Sequence, residues 1–192
     1  MQQIETRLRE RSDQILENLD YFEETILAFS EITTLSLNNG NKLLFCGNGG
    51  SAAESQHMAA EYCATLNHHN PRKGFKAMAL SVDTSFITAW SNDFGFDGIF
   101  ARQIETLGEE GDVLICYSTS GSSKNIIQAV AEAKRKKMHV LAYTGNAKEN
   151  KLVAMSDHSF VAPSSKTAMI QEMHTIIGHE VCLSVERSIA RD

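Results

Sequence analysis

The sequence has little of what would mark an unusual protein. Only two prolines occur, Pro71 and Pro163, and neither falls in the first 38 residues. The four cysteines, Cys46, Cys63, Cys116 and Cys182, form no C-x-x-C pair. That leaves no sequence signature for a zinc ribbon or a thioredoxin-like redox motif. Cys46 and Cys116 lie in apolar runs and read as small core residues. No apolar run approaches the roughly 18 residues that a membrane span needs. The first residues, MQQIETRLRERSDQ, are polar and charged, with no secretory leader to be read in them. Reduced thiols and a cytoplasmic location are the expectation. Positive charge is also in short supply. The formal net charge is −6, which argues against non-specific nucleic-acid binding. It does not argue against a small anionic substrate, because a few groups and helix ends set the local field.

What is there is ordinary globular material. The chain has 192 residues, 42% hydrophobic and 22% charged, enough for one domain over residues 1–192. No repeat, low-complexity tract or linker divides it.

Residues 3–38 carry a helical pattern, with Ile4, Leu8, Ile15, Leu19, Phe22, Ile26 and Phe29 recurring at spacings of three, four or seven. This is one bent helix or two, stopped by Gly40. It is more helix than a minimal α/β unit needs, so residues 1–40 read as extra core cover or as an oligomerisation arm. Short apolar runs then follow at 42–46, 76–80, 112–117, 139–143 and 158–162, each short enough for a buried parallel strand. Helical patterns at 52–66, 84–90, 99–107, 123–137, 149–155 and 166–186 alternate with them. The alternation predicts a three-layer α/β/α sandwich on a five-stranded parallel sheet. The KRKK run at 134–137 reads as a solvated helix end that complements the dipole.

Several segments carry chemistry. Gly47-Asn48-Gly49-Gly50-Ser51 lies between the first strand and a helix, where amides can hold a phosphate and glycine allows close approach. It is neither G-x-G-x-x-G nor a Walker A loop, and a plain tight turn is the competing reading. Ser118-Thr119-Ser120-Gly121-Ser122-Ser123 follows the third strand and opens another helix. One serine would suffice to cap that helix, so five hydroxyls point to an anion. If the first and third strands are neighbours, both loops flank one crevice at the C-terminal strand ends. With no Lys or Arg inside either loop, a sugar monophosphate suits them better than a nucleoside triphosphate.

His57 and Glu61, four apart, share one face of the helix that begins at Ser51. Gln171 and His179, eight apart, share a similar face of the last helix, and His174 sits elsewhere on it. Each pair by itself is more often structural than functional. Ser91-Asn92-Asp93-Phe94-Gly95-Phe96 reads as a polar break after Trp90.

Taken together, CGNGGSAAESQH, SNDFGF, STSGSS and IQEMH-x4-H resemble the sugar isomerase (SIS) domain, and within it the phosphoheptose isomerases. The motifs stand in the family's order and spacing over nearly the whole chain. The resemblance implies a flavodoxin-like SIS fold with an N-terminal helical arm. It implies conversion of sedoheptulose 7-phosphate to D-glycero-D-manno-heptose 7-phosphate through an enediol, supplying heptose for the lipopolysaccharide core. It implies substrate contacts from Asn48, Gly49, Gly50, Ser51, Glu61, Asn92, Asp93, Ser118, Thr119, Ser120, Ser123 and Gln171. It also implies one zinc per subunit held by His57, Glu61, Gln171 and His179, with Glu61 and His179 as the acid–base pair. The family is a homotetramer with active sites between subunits, and neither nucleic acid nor membrane is an expected partner.

This chain departs from the family's pattern in two places. Thr65 stands where most members have an Arg four residues after the Glu, and Ala168 and Met169 replace charged residues before the I-Q-E motif. His68, His69, Arg72 or Lys73 is expected to supply the missing positive charge. Two rivals share the fold: a binding module like the DnaA initiator-associating protein, and a SIS regulatory module that senses a sugar phosphate. Neither needs the His–Glu–Gln–His set, and its presence favours the enzyme. Another sugar phosphate as substrate is the remaining alternative.

Overall fold

The computed structural model describes residues 2–189. Two helical segments come first, α1 (Gln2–Leu16) and α2 (Leu19–Asn38). The break between them falls at Glu17 and Asn18, where the Asn18 amide donates back to the Gln14 carbonyl at 2.8 Å. There follow β1 (Leu43–Gly47), α3 (Gly50–Cys63), β2 (Ala77–Ala79), α4 (Thr84–Phe94), a short 3-10 turn, α5 (Ile99–Leu107) and β3 (Val113–Ser118). The chain ends in α6 (Lys124–Arg135), β4 (His139–Gly145), α7 (Lys151–Met155), β5 (His158–Ala162) and α8 (Thr167–Ile189).

The five strands form one parallel sheet in the order β2-β1-β3-β4-β5. This is the doubly wound, flavodoxin-like order, and it reverses direction between β1 and β3. Those two strands pair from Leu43 opposite Val113 to Gly47 opposite Tyr117, so the loops that follow them emerge side by side.

Alternation along each strand sends side chains to opposite faces. Leu43, Phe45, Val113, Ile115, Leu141 and Phe160 face α2, α3 and α8, joined by Phe22, Phe29, Met58, Ile177, Val181 and Val185. Leu44, Cys46, Leu114, Cys116, Val140 and Ala142 face the other way, against Ile99, Phe100, Ile104, Ile126 and Val130 of α5 and α6. Two cores on two sheet faces make the three layers that strand–helix alternation predicts. Cys46 and Cys116 lie opposite each other in adjacent strands, buried and unbridged. Burial pushes the Cys116 thiol up to about 12, so it is an inert core group.

Some boundaries differ from the sequence reading. The Ser91–Asp93 segment is not a break after Trp90: it is the last turn of α4, which Gly95 ends with a φ of 94°. The KRKK run is spent on ordinary surface contacts. Lys134 pairs with Asp157, Arg135 with Glu132 and Lys137 with Glu110, while Lys136 donates to the Glu105 carbonyl. Among the described residues, no helix is long and apolar enough to cross a membrane.

Candidate functional site

The loop from β1 into α3 is shaped by two glycines. Gly49 has a φ of 58°, a conformation that L side chains rarely adopt. A Cβ on Gly47 would lie 2.3 Å from the Ser51 carbonyl oxygen, so only glycine lets the chain turn this tightly. The Ser51 N–H is engaged by the Asn48 carbonyl at 3.0 Å and is therefore part of the turn. Ser51 itself is buried, whereas Gly49 and Gly50 are exposed.

Asn48 does not point its amide at solvent. It exchanges two hydrogen bonds with Asn125 in the first turn of α6, at 2.9 and 2.8 Å. Asn125 is buried, and it ties the glycine loop to the serine loop. The sequence reading missed Asn125. Its place two residues after the serine run was the available signal.

In the serine loop, the hydroxyls of Ser118 and Ser123 lie 3.2 Å apart, and Ser120 accepts from the N–H and hydroxyl of Ser122. Ser123 is the N-cap of α6, yet its side chain makes no capping bond. The hydroxyls are thus held near one another and not spent on the helix, as an anion cradle requires. Thr119 and Ser120 also line a cavity of about 450 Å³ with Asn146, Lys148, Ser164 and Thr167, at the C-terminal ends of β3, β4 and β5.

α3 and α8 run side by side in the same direction. Gln171 sits over Gly50, the Thr175 hydroxyl donates to Glu54 at 2.7 Å, and Gly178 faces Met58. One turn further, His57 Nε2 and His179 Nε2 stand 2.7 Å apart with their rings near perpendicular. Glu61 Oε1 is 3.7 Å from His57 Nδ1. One atom each from His57, Glu61 and His179 falls within 4.8 Å of the others. Two imidazoles and a carboxylate, partly exposed, suit a divalent cation with a coordination position left open.

The Gln171 amide stands at the start of α3, over Gly50. A separation of eight residues on a helix keeps the face but moves about 12 Å along the axis. Gln171 therefore reaches the glycine loop, where a Cβ on Gly50 would lie 2.6 Å from its Nε2. His57, Glu61 and His179, three of the four ligands that the resemblance implies, stand together, and the Gln171 amide lies over Gly50. His174 is buried and structural, its Nε2 3.1 Å from the Thr144 carbonyl, and burial lowers its pKa to about 4.

Asn92 and Asp93 pair with each other at 2.8 Å on the exposed end of α4. Arg72 is not a free cation for a phosphate, contrary to the sequence reading. Its guanidinium is bound to Glu186 at 2.8 Å and to carbonyls at the end of α3. His68 and His69 are exposed, their rings tilted against each other with centroids 4.0 Å apart. Met169 is buried in the core and Ala168 is exposed, so the residue at 169 packs and does not face a ligand.

Residues 8–145 match the family described as the SIS domain. The phosphoheptose isomerase of Burkholderia pseudomallei is 44% identical over 165 residues, covering 86% of this chain and 82% of the relative. That of Thermodesulfovibrio yellowstonii is 40% identical over 190 residues, covering 96% and 92%. Among solved structures, the phosphoheptose isomerase of Neisseria gonorrhoeae superposes with a TM-score of 0.89 at 38% identity, covering 97% of this chain and 98% of that one. The structure from Francisella tularensis gives 0.91 at 33% identity over 97% of both chains.

Proposed function

This chain belongs to the phosphoheptose isomerase family of SIS-domain proteins, and from that membership we propose that it is the aldose–ketose isomerase that converts sedoheptulose 7-phosphate to D-glycero-D-manno-heptose 7-phosphate. The product feeds the heptose of the lipopolysaccharide core, and the enzyme works in the cytoplasm. The single observation that carries the reading is the His57–Glu61–His179 cluster. A binding or sensing module of the same fold has no use for it.

The isomerisation moves a proton between C1 and C2 through an enediol, which needs one group to remove a proton and another to deliver one. Glu61 and His179 come from different helices, and their side chains lie close enough to serve adjacent carbon and oxygen atoms of one substrate. His57 holds His179 by its Nε2 and stands beside Glu61, so it orients both. Zinc bound by His57, Glu61 and His179 would supply Lewis acidity toward the sugar carbonyl. The glycine and serine loops, with Asn48, Gly49, Gly50, Ser51, Ser118, Thr119, Ser120 and Ser123, are assigned to the phosphate end. There, binding energy remote from the reacting carbons holds the sugar in register. Gln171, whose amide stands at Gly50, is assigned to the substrate and as the fourth ligand of the metal. Asn92 and Asp93 are assigned to substrate on the same basis, from across a subunit boundary.

We take residues 1–192 as one SIS domain in which residues 1–40 serve assembly into a homotetramer. Leu8, Leu27 and Leu35 are each 59% exposed and Ile176 39%, a run of apolar side chains on α1, α2 and α8 that a second copy would cover. The test is a panel of ketose phosphates, sedoheptulose 7-phosphate first, assayed for aldose formation before and after chelation. Turnover of the heptulose above all others, lost on chelation and restored by zinc, is expected. Absence of turnover on every member would overturn the enzyme reading, and full activity after chelation would remove the zinc.

A further inference from the structure

Arg72 lies in the loop between α3 and β2, outside every motif that carries the family resemblance. Its side chain is only 11% exposed, and that of Glu186, its partner on α8, 8%. One guanidinium nitrogen, Nη2, contacts both the Glu61 carbonyl at 3.1 Å and Glu186 Oε1 at 2.8 Å. The other, Nη1, donates to the carbonyls of Tyr62 at 2.9 Å and Ala64 at 3.4 Å. The plane of the group stacks on Phe75, 3.7 Å from the ring centroid. Glu186 in turn accepts from the N–H groups of Leu66 and Asn67 and from the Thr65 hydroxyl. The last carbonyls of a helix have no partners inside it, and here a buried cation supplies them.

We infer that Arg72 is a positioning residue for the isomerase centre: it locks the end of α3 to α8 and so fixes Glu61 in register with His179. The two helices carry all three members of the cluster, and Arg72 bonds the backbone of one of those members directly. Its fork is essential to the role. A lysine ammonium can face Glu186, but it is a point charge and cannot present parallel donors to a carboxylate and to three carbonyls. The role also accounts for Thr65. That position hydrogen-bonds Glu186 as part of the clamp, and the positive charge comes from seven residues further on.

This inference rests on the isomerase reading of the cluster, and the experiment separates the two. In Arg72→Lys, the zinc dissociation constant, measured without substrate against a chromophoric chelator, is expected to rise about tenfold or more. The kcat is expected to fall by about the same factor, with KM for the heptulose phosphate nearly unchanged. Circular dichroism should match that of the parent. In the metal-free protein, the imidazole NMR resonances of His57 and His179 should shift in the variant. A variant with parental zinc affinity and parental imidazole resonances overturns the clamp. If the parent itself shows no isomerase turnover, the isomerase reading fails while zinc affinity and the imidazole signals still decide on Arg72. Should Arg72→Lys not fold, Glu186→Gln, which keeps the shape and removes the charge, must show the same loss of zinc affinity, and parental affinity there would be equally fatal.

Discussion

Glu61 and His179 are the side chains the proposed isomerisation depends on, and their environments differ from that of the histidine between them in sequence. Positioned acid–base groups contribute about 10²–10⁴ in rate. Glu61→Gln and His179→Ala are therefore each expected to lower kcat by about that factor, with the secondary structure intact. Progress curves on sedoheptulose 7-phosphate check this, and a variant within about threefold of the parent would remove that residue from the acid–base pair. His174 makes a different prediction. Burial lowers its pKa to about 4, with the Thr144 carbonyl opposing the shift only in part, while an unfolded chain would titrate near 6.5. The folded protein thus refuses a proton that the unfolded chain accepts. The stability tied to this group is complete above about pH 6.5, falls as pH drops toward 4 and levels off below. Between roughly pH 7.5 and pH 5 the loss is about 2 kcal/mol. Urea unfolding at the two pH values should show that loss in the parent and a shallower slope in His174→Gln. Equal slopes would mean that His174 titrates normally.

Elements were more legible than sites. Each strand is a short apolar run bounded by polar or glycine residues, so all five could be read from the sequence. That β1 and β3 are neighbours was only a condition for the two loops to share a crevice, and the strand pairing meets it. Distances along helices were not legible in the same way. Periodicity gives the face of a helix and says nothing of which partner meets it, so the place of the Gln171 amide over Gly50 was not legible. Arg72 was misread because a cation in a loop looks available until its partners are known. The Asn48–Asn125 pair was invisible for a similar reason, since it joins elements 77 residues apart. That pair is what makes two loops into one cradle. Replacing Asn125 by Ala removes two hydrogen bonds and leaves a half-buried amide on Asn48. The expected cost is about 1–3 kcal/mol in chemical denaturation. A higher KM for sugar phosphate with little change in kcat should accompany it, because the proposed role of these loops is to hold the phosphate and not the reacting carbons. A KM equal to the parent's would show that the loops keep their relative position without the pair.

At the scale of the whole molecule, the proposed site is split. Gly50 opens α3 at the C-terminal edge of the sheet, and Glu61 lies eleven residues later on the same helix. That is about 16 Å of helix, more than an extended seven-carbon sugar phosphate covers. On the proposed roles, one copy presents a phosphate cradle and, separately, an acid–base cluster, and the exposed leucines of α1 and α2 offer a surface on which copies can meet. In a closed symmetric assembly the cradle of one copy can face the cluster of the next. The consequence is complementation. Glu61→Gln lacks a working cluster, and Ser118→Ala/Ser123→Ala lacks a working cradle. Unfolded and refolded together in equal amounts, the two inactive proteins form mixed assemblies. In these, about one site in four joins an intact cluster to an intact cradle, so about a quarter of the parental activity should return. Sites built within a single copy cannot regain activity this way, because every copy in the mixture carries one lesion. Activity no higher than that of the separate variants, in mixtures shown by native mass spectrometry to contain both chains, would place cradle and cluster in the same subunit.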